Sequence, residues 1–277
     1  MNISLCKFFI NQQINLIQNL RHLSSAINNQ LAEPQFGLLF DIDGVLTRGR
    51  KLLPYTRDAF RNLVKANGEF RIPTLFVTNA GNELRLSKAA KLTQILGISK
   101  ISGHQLQYTT IVGKPSEVTF YHAEYLISRH AHELGLKQPI KRLYVVGDNP
   151  DTDVYGANVY NRYLQRRSLS RVNQIVSQTT IGTLTSSGKN ISGKNLWSSS
   201  NSAEPAADNI EQYYTAESLE SILVCTGVFN RETYDETLGK NHGHRDMFID
   251  AELRKPKHTC EHVLDAVKLI FDIEQFR

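Results

Sequence analysis

Short apolar runs alternate with amphipathic stretches from residue 36 to about residue 225, and each apolar run ends at a polar residue or glycine. The runs have the length of buried strands, as expected where helices cover both faces of a parallel sheet. Four strands are predicted at Phe36–Phe40, Pro73–Val77, Leu143–Val146 and Ile222–Cys225. Three helices are predicted at Tyr55–Lys65, Glu83–Leu96 and Ser116–Leu134. This alternation predicts an α/β fold with a Rossmann-like, doubly wound parallel sheet.

Two segments of the 277-residue chain depart from this alternation. The first 32 residues carry Lys7 and Arg21 but no carboxylate, a composition that resembles a mitochondrial transit peptide. We predict a transit segment at residues 1–33, the alternative being a frayed N-terminus. Residues 34–277 then form one α/β domain with a flexible insertion at about 166–218. The main evidence is that 21 of the 36 residues from Ser168 to Ala203 are Ser, Thr, Asn or Gly.

The net charge of +5 is unevenly distributed along the chain. Residues 1–32 and 155–203 contain no acidic residue and together carry +8, so the remainder carries −3. The basic balance therefore predicts no specific nucleic-acid partner. The basic insertion could make weak contact with anionic lipid, although a solvated loop is the simpler interpretation. The chain contains no run of 18 apolar residues, so no transmembrane span is predicted. The three cysteines are far apart in sequence and predict neither a disulfide framework nor a zinc site.

The residues that follow the predicted strands are the candidates for chemistry, because the carboxyl ends of parallel strands meet at one edge of a sheet. Asp41 and Asp43 are two positions apart, so both carboxylates lie on the same side of the chain. Gly44 allows a sharp turn that brings main-chain N–H groups close to a ligand. Asp148 follows a separate strand and adds a third oxygen donor. This set favours Mg²⁺ over a calcium loop of the EF-hand type, which has its glycine at the sixth position.

Four phrases of the sequence resemble, in order, the four motifs of the haloacid dehalogenase (HAD) superfamily, subclass IIA. They are Phe40–Leu46, Phe76–Gly81, Gly113–Pro115 and Gly147–Asp148 with Asp153. Further segments resemble the cat eye syndrome critical region type of HAD-like hydrolase. They are Gly113–Glu117, Arg142–Asn158, Ser221–Val228 and His242–Asp246. The resemblance spans residues 36 to about 271 and implies that the α/β domain is a HAD core.

The resemblance also implies a Mg²⁺-dependent phosphatase with a defined set of site residues. Asp41 would be the nucleophile that forms an aspartyl-phosphate, and Asp43 the general acid and base. Lys114 would neutralise charge on Asp41 and on the phosphate, and Asp153 would orient Lys114 or the metal ligands. Phosphoryl oxygens would be bound by Thr78, Gly44 and Asn79, and the metal by Asp41, Asp43 through its carbonyl, and Asp148. A dehalogenase needs no leaving-group proton, so Asp43 favours phosphoryl transfer to water.

The chain departs from subclass IIA in one respect, since these proteins carry a cap domain between the second and third motifs. Here 35 residues separate Thr78 from Lys114, which is too few for a separate domain. The cap domain is therefore expected to be missing. A large or protein-borne substrate, a shortened splice form or gene model, and a loss of catalysis would each account for this, and we favour the second. Without a lid that excludes water, we expect weak and unselective turnover.

Taken together, the sequence predicts a phosphoric monoester hydrolase of the mitochondrial matrix. Its expected substrate is a small phosphorylated metabolite or a phospholipid headgroup, which would connect the protein with glycerophospholipid metabolism. The alternative from a different class is a non-catalytic mitochondrial scaffold or binding protein on a HAD fold. The complete set of catalytic residues favours the enzyme.

Overall fold

The computed structural model describes residues 33–49, 51–79, 113–182, 211–232 and 250–277, with the backbone alone for residues 174–182. Several predicted features lie outside these ranges. They are the transit segment up to residue 32, the helix Glu83–Leu96, the region 80–112 where the cap was expected to be missing, residues 183–210 of the insertion, and the segment His242–Asp246.

The described residues form a five-stranded parallel sheet that confirms the predicted α/β fold class. The strands are β1 (Phe36–Phe40), β4 (Thr74–Phe76), β5 (Arg142–Gly147), β6 (Ser218–Val224) and β7 (His258–Cys260). Their order across the sheet is β4-β1-β5-β6-β7. After β1 the chain adds β4 on one side of it, and then β5, β6 and β7 on the other side. A small antiparallel hairpin, β2 (Thr47–Arg48) with β3 (Lys51–Leu52), follows β1.

In the described ranges, four helices cover the two faces of the sheet. They are α1 (Thr56–Leu63), α2 (Glu117–Glu133), α3 (Tyr155–Gly182) and α4 (Val263–Glu274). A π-helical turn, Pro150–Val154, leads into α3, and a short 3₁₀ turn, Ala251–Arg254, precedes β7. None of the helices in the described ranges is long and apolar enough to cross a membrane.

Successive residues of β1 supply two separate hydrophobic cores, because neighbouring side chains in a strand point to opposite faces. Leu38 and Phe40 pack in the core that contains Phe60 of α1 and Val267 of α4. Leu39 packs in the other core, whose members include Phe120, Ile127, Tyr160 and Leu164 of α2 and α3. Every residue of β1 is buried, which explains why the sequence shows an unbroken apolar run there.

Helix α3 corrects the prediction of a flexible insertion at about residues 166–218, because residues 166–182 are helical. Arg167 reaches Glu124 of α2 and the carbonyl of Ala216, and Arg171 donates to the carbonyl of Tyr214. Once the first turns of α3 pack on α2, adding further residues to the helix costs little free energy, even for a polar sequence. At the other end of the predicted insertion, residue 218 already belongs to β6.

The sequence pattern also missed β7 and the first half of β6. Strand β7 has three residues, His258, Thr259 and Cys260, which is too short and too polar for an apolar run. In β6, three of the four residues before Ile222 are polar, and one of them, Ser221, is fully buried with its hydroxyl donating to Asn158. A search for continuous apolar runs recognises only the last three residues of this strand, Ile222–Val224.

Candidate active site

The candidate site lies where β1 and β5 end side by side. Asp41 follows β1, and its main-chain N–H donates a 2.9 Å hydrogen bond to the carbonyl of Val146 in β5. Asp148 follows β5 after Gly147. The two aspartates are 9% and 2% exposed. The parallel register of the two strands therefore buries two carboxylates at the same edge of the sheet.

Lys114 joins this group from the chain between β4 and α2. Its Nζ lies 2.7 Å from Oδ1 of Asp41 and 2.6 Å from Oδ1 of Asp153. Burial opposes the charged form of Lys114, but the neighbouring Asp153 and Asp41 outweigh it and raise the pKa of the lysine above its ordinary value. Lys114 is therefore a buried cation that ties the ends of two different strands together.

Asp153 reaches the site from the π-helical turn Pro150–Val154. Its Oδ2 accepts a 3.1 Å hydrogen bond from the N–H of Asn149, whose own side chain accepts one from the N–H of Asp151 at 2.9 Å. A Cβ atom at Gly147 would lie 2.2 Å from Cβ of Asp153, so the turn needs glycine at this position. Single π-helical turns are frequent at functional sites. This one holds Asp153 rigidly against Lys114.

The three acids fit a metal ion. Ligand oxygens of Asp41, Asp148 and Asp153 lie within 4.8 Å of one another. Within the described ranges, the only cationic side chain that forms an ion pair with these acids is Lys114. Three carboxyl groups and one ammonium group leave the buried cluster with excess negative charge when the acids are ionised. Such a group is costly to bury unless a further cation compensates it. Oxygen donors of this kind suit a hard cation such as Mg²⁺.

The pKa values of two predicted metal ligands are raised, chiefly because their carboxylates are buried. Burial raises the pKa of Asp41 from 3.8 to about 7; Lys114 lowers it and Asp153 raises it further. Burial also raises the pKa of Asp148, against the effect of a hydrogen bond from the N–H of Val228. A cation between the two carboxylates would favour their ionised forms. The carboxylate of Asp43 is outside the acidic group, and a contribution from its carbonyl stays a prediction.

Asp43 and Gly44 form the turn that follows Asp41. Gly44 has φ +92°, and a Cβ atom there would lie 2.3 Å from Oδ2 of Asp148. The positive φ therefore requires glycine, and the missing side chain leaves room for the carboxylate of Asp148. The N–H of Gly44 donates to the carbonyl of Thr47 at 2.7 Å, and the hydroxyl of Thr47 lies 3.4 Å from Oδ1 of Asp43. Hence Asp43 is held at the same edge as Asp41.

Thr78 lies two residues beyond β4, the strand that pairs with β1 on the side opposite β5. The structure therefore places Thr78 at the edge of the sheet that holds Asp41. The roles of Asp43, Gly44 and Thr78 toward a phosphoryl group stay predictions.

Asn79 has a contact that the sequence did not suggest. Its Oδ1 accepts a 2.7 Å hydrogen bond from the N–H of Lys114, and its Nδ2 donates a 2.8 Å hydrogen bond to the carbonyl of Lys114. A Cβ atom at Gly113 would lie 2.9 Å from Oδ1 of Asn79, so Gly113 permits this close approach. The side chain of Asn79 thus holds the main chain of Lys114. Phosphate binding by the main-chain N–H of Asn79 stays a prediction.

Two further parts of the site escaped the sequence analysis. The N–H of Val228, just after β6, donates a 2.6 Å hydrogen bond to Oδ2 of Asp148. Arg254, which is 3% exposed, contacts Oδ1 of Asp151 at 2.6 Å and so braces the π-helical turn. Main-chain N–H groups have no sequence signal. Only the polar end of the β6 run, Thr226–Gly227, marked this edge in the sequence.

Residues 38–158 match the family of haloacid dehalogenase-like hydrolases. A fission yeast protein, "Cardiolipin synthase (CMP-forming) / mitochondrial hydrolase fusion protein" of Schizosaccharomyces pombe, is 36% identical over 61 residues. That stretch is 22% of this chain and 10% of the relative, so the match spans about a tenth of the relative's length.

A solved structure, p-nitrophenyl phosphatase from Archaeoglobus fulgidus, aligns with 84% of this chain and 98% of its own at 13% identity. The TM-score of 0.32 is too low for this likeness to carry an argument. The sequence match has more weight, because it contains Asp41, Asp43, Lys114, Asp148 and Asp153. The finer resemblance to the cat eye syndrome critical region type stays a prediction. Residues 38–158, which hold the whole cluster of acids and lysine, match the model of the haloacid dehalogenase-like hydrolase family.

Proposed function

We propose that the protein is a Mg²⁺-dependent phosphatase that acts through an aspartyl-phosphate on Asp41. The observation that carries the proposal is the meeting of Asp41, Lys114, Asp148 and Asp153 at one edge of the sheet. Asp41 and Asp148 would hold the Mg²⁺ ion, which when bound supplies positive charge against the phosphoryl oxygens. The protein's own contribution is the fixed position of these charges in a buried site.

In the first half of the reaction, a carboxylate oxygen of Asp41 attacks the phosphorus atom of a phosphate monoester. The bond between phosphorus and the leaving oxygen breaks, and Asp43 gives its proton to that oxygen. Lys114 offsets the negative charge that Asp41 and the phosphoryl group bring together. Because Asn79 and Asp153 fix both the main chain and the Nζ of Lys114, the lysine needs little rearrangement during the reaction.

In the second half, a water molecule attacks the phosphorus of the aspartyl-phosphate. Asp43, now a carboxylate, takes the proton of that water, and the bond between phosphorus and Asp41 breaks. Inorganic phosphate leaves, and both aspartates return to their starting states. The position of Asp43 in a turn anchored through Gly44 and Thr47 lets one carboxyl group act in both halves.

The proposed substrate is a small phosphorylated metabolite or a phospholipid headgroup, and the proposed location is the mitochondrial matrix. The support for the location is the basic, acid-free composition of residues 1–32. The fission yeast relative is named as a fusion of a cardiolipin synthase with a mitochondrial hydrolase. This supports a phosphorylated glycerophospholipid precursor over a sugar or nucleotide phosphate.

Hydrolysis of p-nitrophenyl phosphate tests the proposed reaction directly. The wild-type protein is assayed with Mg²⁺ and with EDTA, beside Asp41→Asn and the surface control Asp58→Asn. Asp58 forms an exposed ion pair with Arg61 on α1, and it has no role in the proposed reaction. We expect Mg²⁺-dependent hydrolysis by the wild type and by Asp58→Asn and a loss of at least about 1000-fold in Asp41→Asn. Equal rates for Asp41→Asn and the wild type would refute the proposal.

The nucleophile can also be identified chemically. A slow substrate added with Mg²⁺ should leave a phosphate on Asp41 that intact-protein mass spectrometry detects after a rapid acid quench. Asp41→Asn should show no such adduct. An adduct on any other residue would contradict the assignment of Asp41.

A further inference from the structure

The turn Thr226–Val228, which follows β6, contacts two separate parts of the candidate site. The N–H of Val228 donates a 2.6 Å hydrogen bond to Oδ2 of Asp148, and the next N–H, that of Phe229, donates to the main-chain carbonyl of Asp148 at 3.0 Å. On its other side, the hydroxyl of Thr226 donates a 2.6 Å hydrogen bond to the carbonyl of Gly44. The turn therefore bridges the loop after β1 and the loop after β5.

The turn is itself anchored from two directions. Nη2 of Arg48 in the β2–β3 hairpin donates a 2.7 Å hydrogen bond to the carbonyl of Thr226. Next to it, the N–H of Cys225 donates a 3.1 Å hydrogen bond to the carbonyl of Cys260 in β7. These bonds hold the main chain in place on both sides of Thr226. A rigid main chain can fix the orientation of a side chain that it contacts.

Gly227 lies directly against the carboxylate of Asp148. A Cβ atom at position 227 would be 1.8 Å from Oδ2 and 2.4 Å from Cγ of Asp148. Gly44 faces the same carboxylate, with its own hypothetical Cβ 2.3 Å from Oδ2. Asp148 thus lies between two glycines that come from different loops. Any side chain at either position would take the place of the carboxylate.

We infer that the turn Thr226–Val228 is a positioning element of the site, which holds the Asp148 carboxylate in the orientation that binds a cation. The N–H of Val228 fixes the orientation of Oδ2, so the remaining lone pairs of the carboxylate would be presented to a metal ion. Gly227 provides the space for the carboxylate, and Thr226 fixes the adjoining loop that carries Asp41 and Asp43. The inference rests on the proposed function and adds to it three residues that neither the four superfamily motifs nor the acidic cluster contain.

A methyl group at position 227 should act locally. The two nearest atoms that it meets are Oδ2 and Cγ of Asp148, which move away when that side chain rotates about χ1. The third, Cβ of Asp148 at 2.7 Å, moves only with a small shift of the loop after β5. Asp148 should then turn away from the hydrogen bond of Val228 while the sheet stays folded. Gly227→Ala is therefore expected to reduce Mg²⁺ binding in the way that the loss of Asp148 reduces it.

The test is a double-mutant cycle read by Mg²⁺ binding in isothermal titration calorimetry. The full chain is compared as wild type, Gly227→Ala, Asp148→Ala and the double variant, with melting temperatures measured in EDTA. We expect Gly227→Ala to weaken the Kd for Mg²⁺ at least tenfold in the wild-type background and less than twofold in the Asp148→Ala background. Such non-additivity is the signature of residues that act through one another.

Thr226 gives a second, milder test. Thr226→Val removes the hydroxyl that bonds to Gly44 but keeps the shape of the side chain, whereas Thr226→Ser keeps the hydroxyl. We expect a severalfold loss of kcat for p-nitrophenyl phosphate in Thr226→Val and near wild-type kcat in Thr226→Ser, with KM changed less than kcat in both. A loss shared by the two variants would point to packing of the Thr226 methyl group and would contradict this part of the inference.

The outcomes separate the two proposals. Wild-type protein that binds Mg²⁺ but hydrolyses no phosphate ester overturns the proposed function alone. Gly227→Ala that binds Mg²⁺ as tightly as the wild type, or that weakens binding equally in both backgrounds, overturns the positioning role alone. Wild-type protein that binds no Mg²⁺ overturns both.

Discussion

At the scale of single residues, the balance of charge around Lys114 governs the site. One ammonium group contacts Asp41 and Asp153, while Asp148 lies in the same group without a described ion pair of its own. Removing one member of a buried, hydrogen-bonded charge group leaves its partners uncompensated, which is more costly than never burying them. Lys114 should therefore be needed both for the stability of the site and for its chemistry.

Lys114→Met tests both requirements. The substitution removes the charge but keeps most of the length of the side chain, and the bonds from Asn79 to the main chain of residue 114 can persist. We expect phosphatase activity to fall by about 100- to 1000-fold. The free energy of unfolding at pH 8 in EDTA should fall by about 3–5 kcal/mol, as measured by urea denaturation.

Lys255→Met is the matched control for that experiment. Lys255 pairs with Glu252 on the surface, where both side chains are largely exposed, so its loss should change stability by less than about 1 kcal/mol. Similar losses of stability in the two variants would show that Lys114 has no special role in the folded site.

The pKa of Asp41 gives a prediction about pH. Burial raises this pKa from 3.8 to about 7. Between these two pH values, Asp41 therefore keeps its proton in the metal-free folded protein and loses it in the unfolded chain. The resulting stabilisation is complete below about pH 4 and is lost as the pH rises through 7. In EDTA, the melting temperature of the wild type should therefore fall more steeply between pH 5 and pH 8 than that of Asp41→Asn. Parallel curves for the two proteins would show that Asp41 does not titrate in this range.

At the scale of elements, the sequence was most informative where burial was complete. Strand β1 and helix α2 lie within one residue of their predicted bounds, because their apolar pattern is continuous or regular. Strand β7 and the polar half of β6 have no such pattern. Their extended conformation is stabilised by pairing with neighbouring strands and is not indicated by their own composition. Helix α3 was missed for the same reason, as α2 and the chain around Ala216 stabilise it.

The buried network between α2 and α3 explains why that polar helix forms. Glu124, which is 1% exposed, accepts hydrogen bonds from Arg167, from the hydroxyl of Tyr160 and from the N–H of Ala216. We expect Glu124→Ala to lower the free energy of unfolding by about 3–5 kcal/mol in urea denaturation, because it leaves Arg167 partly buried without its acid. It should also weaken the helical signal in far-UV circular dichroism.

Glu133→Ala is the matched control, because Glu133 lies on α2, the helix that also carries Glu124. Glu133 pairs with Arg129 at the surface at 3.4 Å, and such pairs contribute less than about 1 kcal/mol. If the two glutamate variants proved equally stable, the network would not be what holds α3 on the sheet.

At the scale of the whole molecule, the topology explains why residues so far apart in sequence meet. All five strands are parallel, so the loops after β1, β4, β5 and β6 emerge at one edge. Polar residues at strand ends were therefore enough to predict that Asp41 and Asp148 lie together. The contributions of Val228, Asn79 and Arg254 were not predictable in this way, because main-chain donors and single long-range contacts leave no periodic signal in a sequence.

The same topology gives a prediction for the protein as a whole, because a cation at this edge ties together the ends of β1 and β5. Mg²⁺ at about 100 times its Kd stabilises the folded state by about 2.7 kcal/mol, which corresponds to a rise in melting temperature of about 5–10 °C for a chain of this size. The rise should be larger at pH 8 than at pH 6, because at pH 6 the ion must displace the proton that the raised pKa of Asp41 retains. Asp148→Asn should lose most of the rise at both pH values, and Asp58→Asn should keep it. A Mg²⁺ effect that is unchanged in Asp148→Asn would place the ion elsewhere in the molecule and would remove the metal from this edge of the sheet.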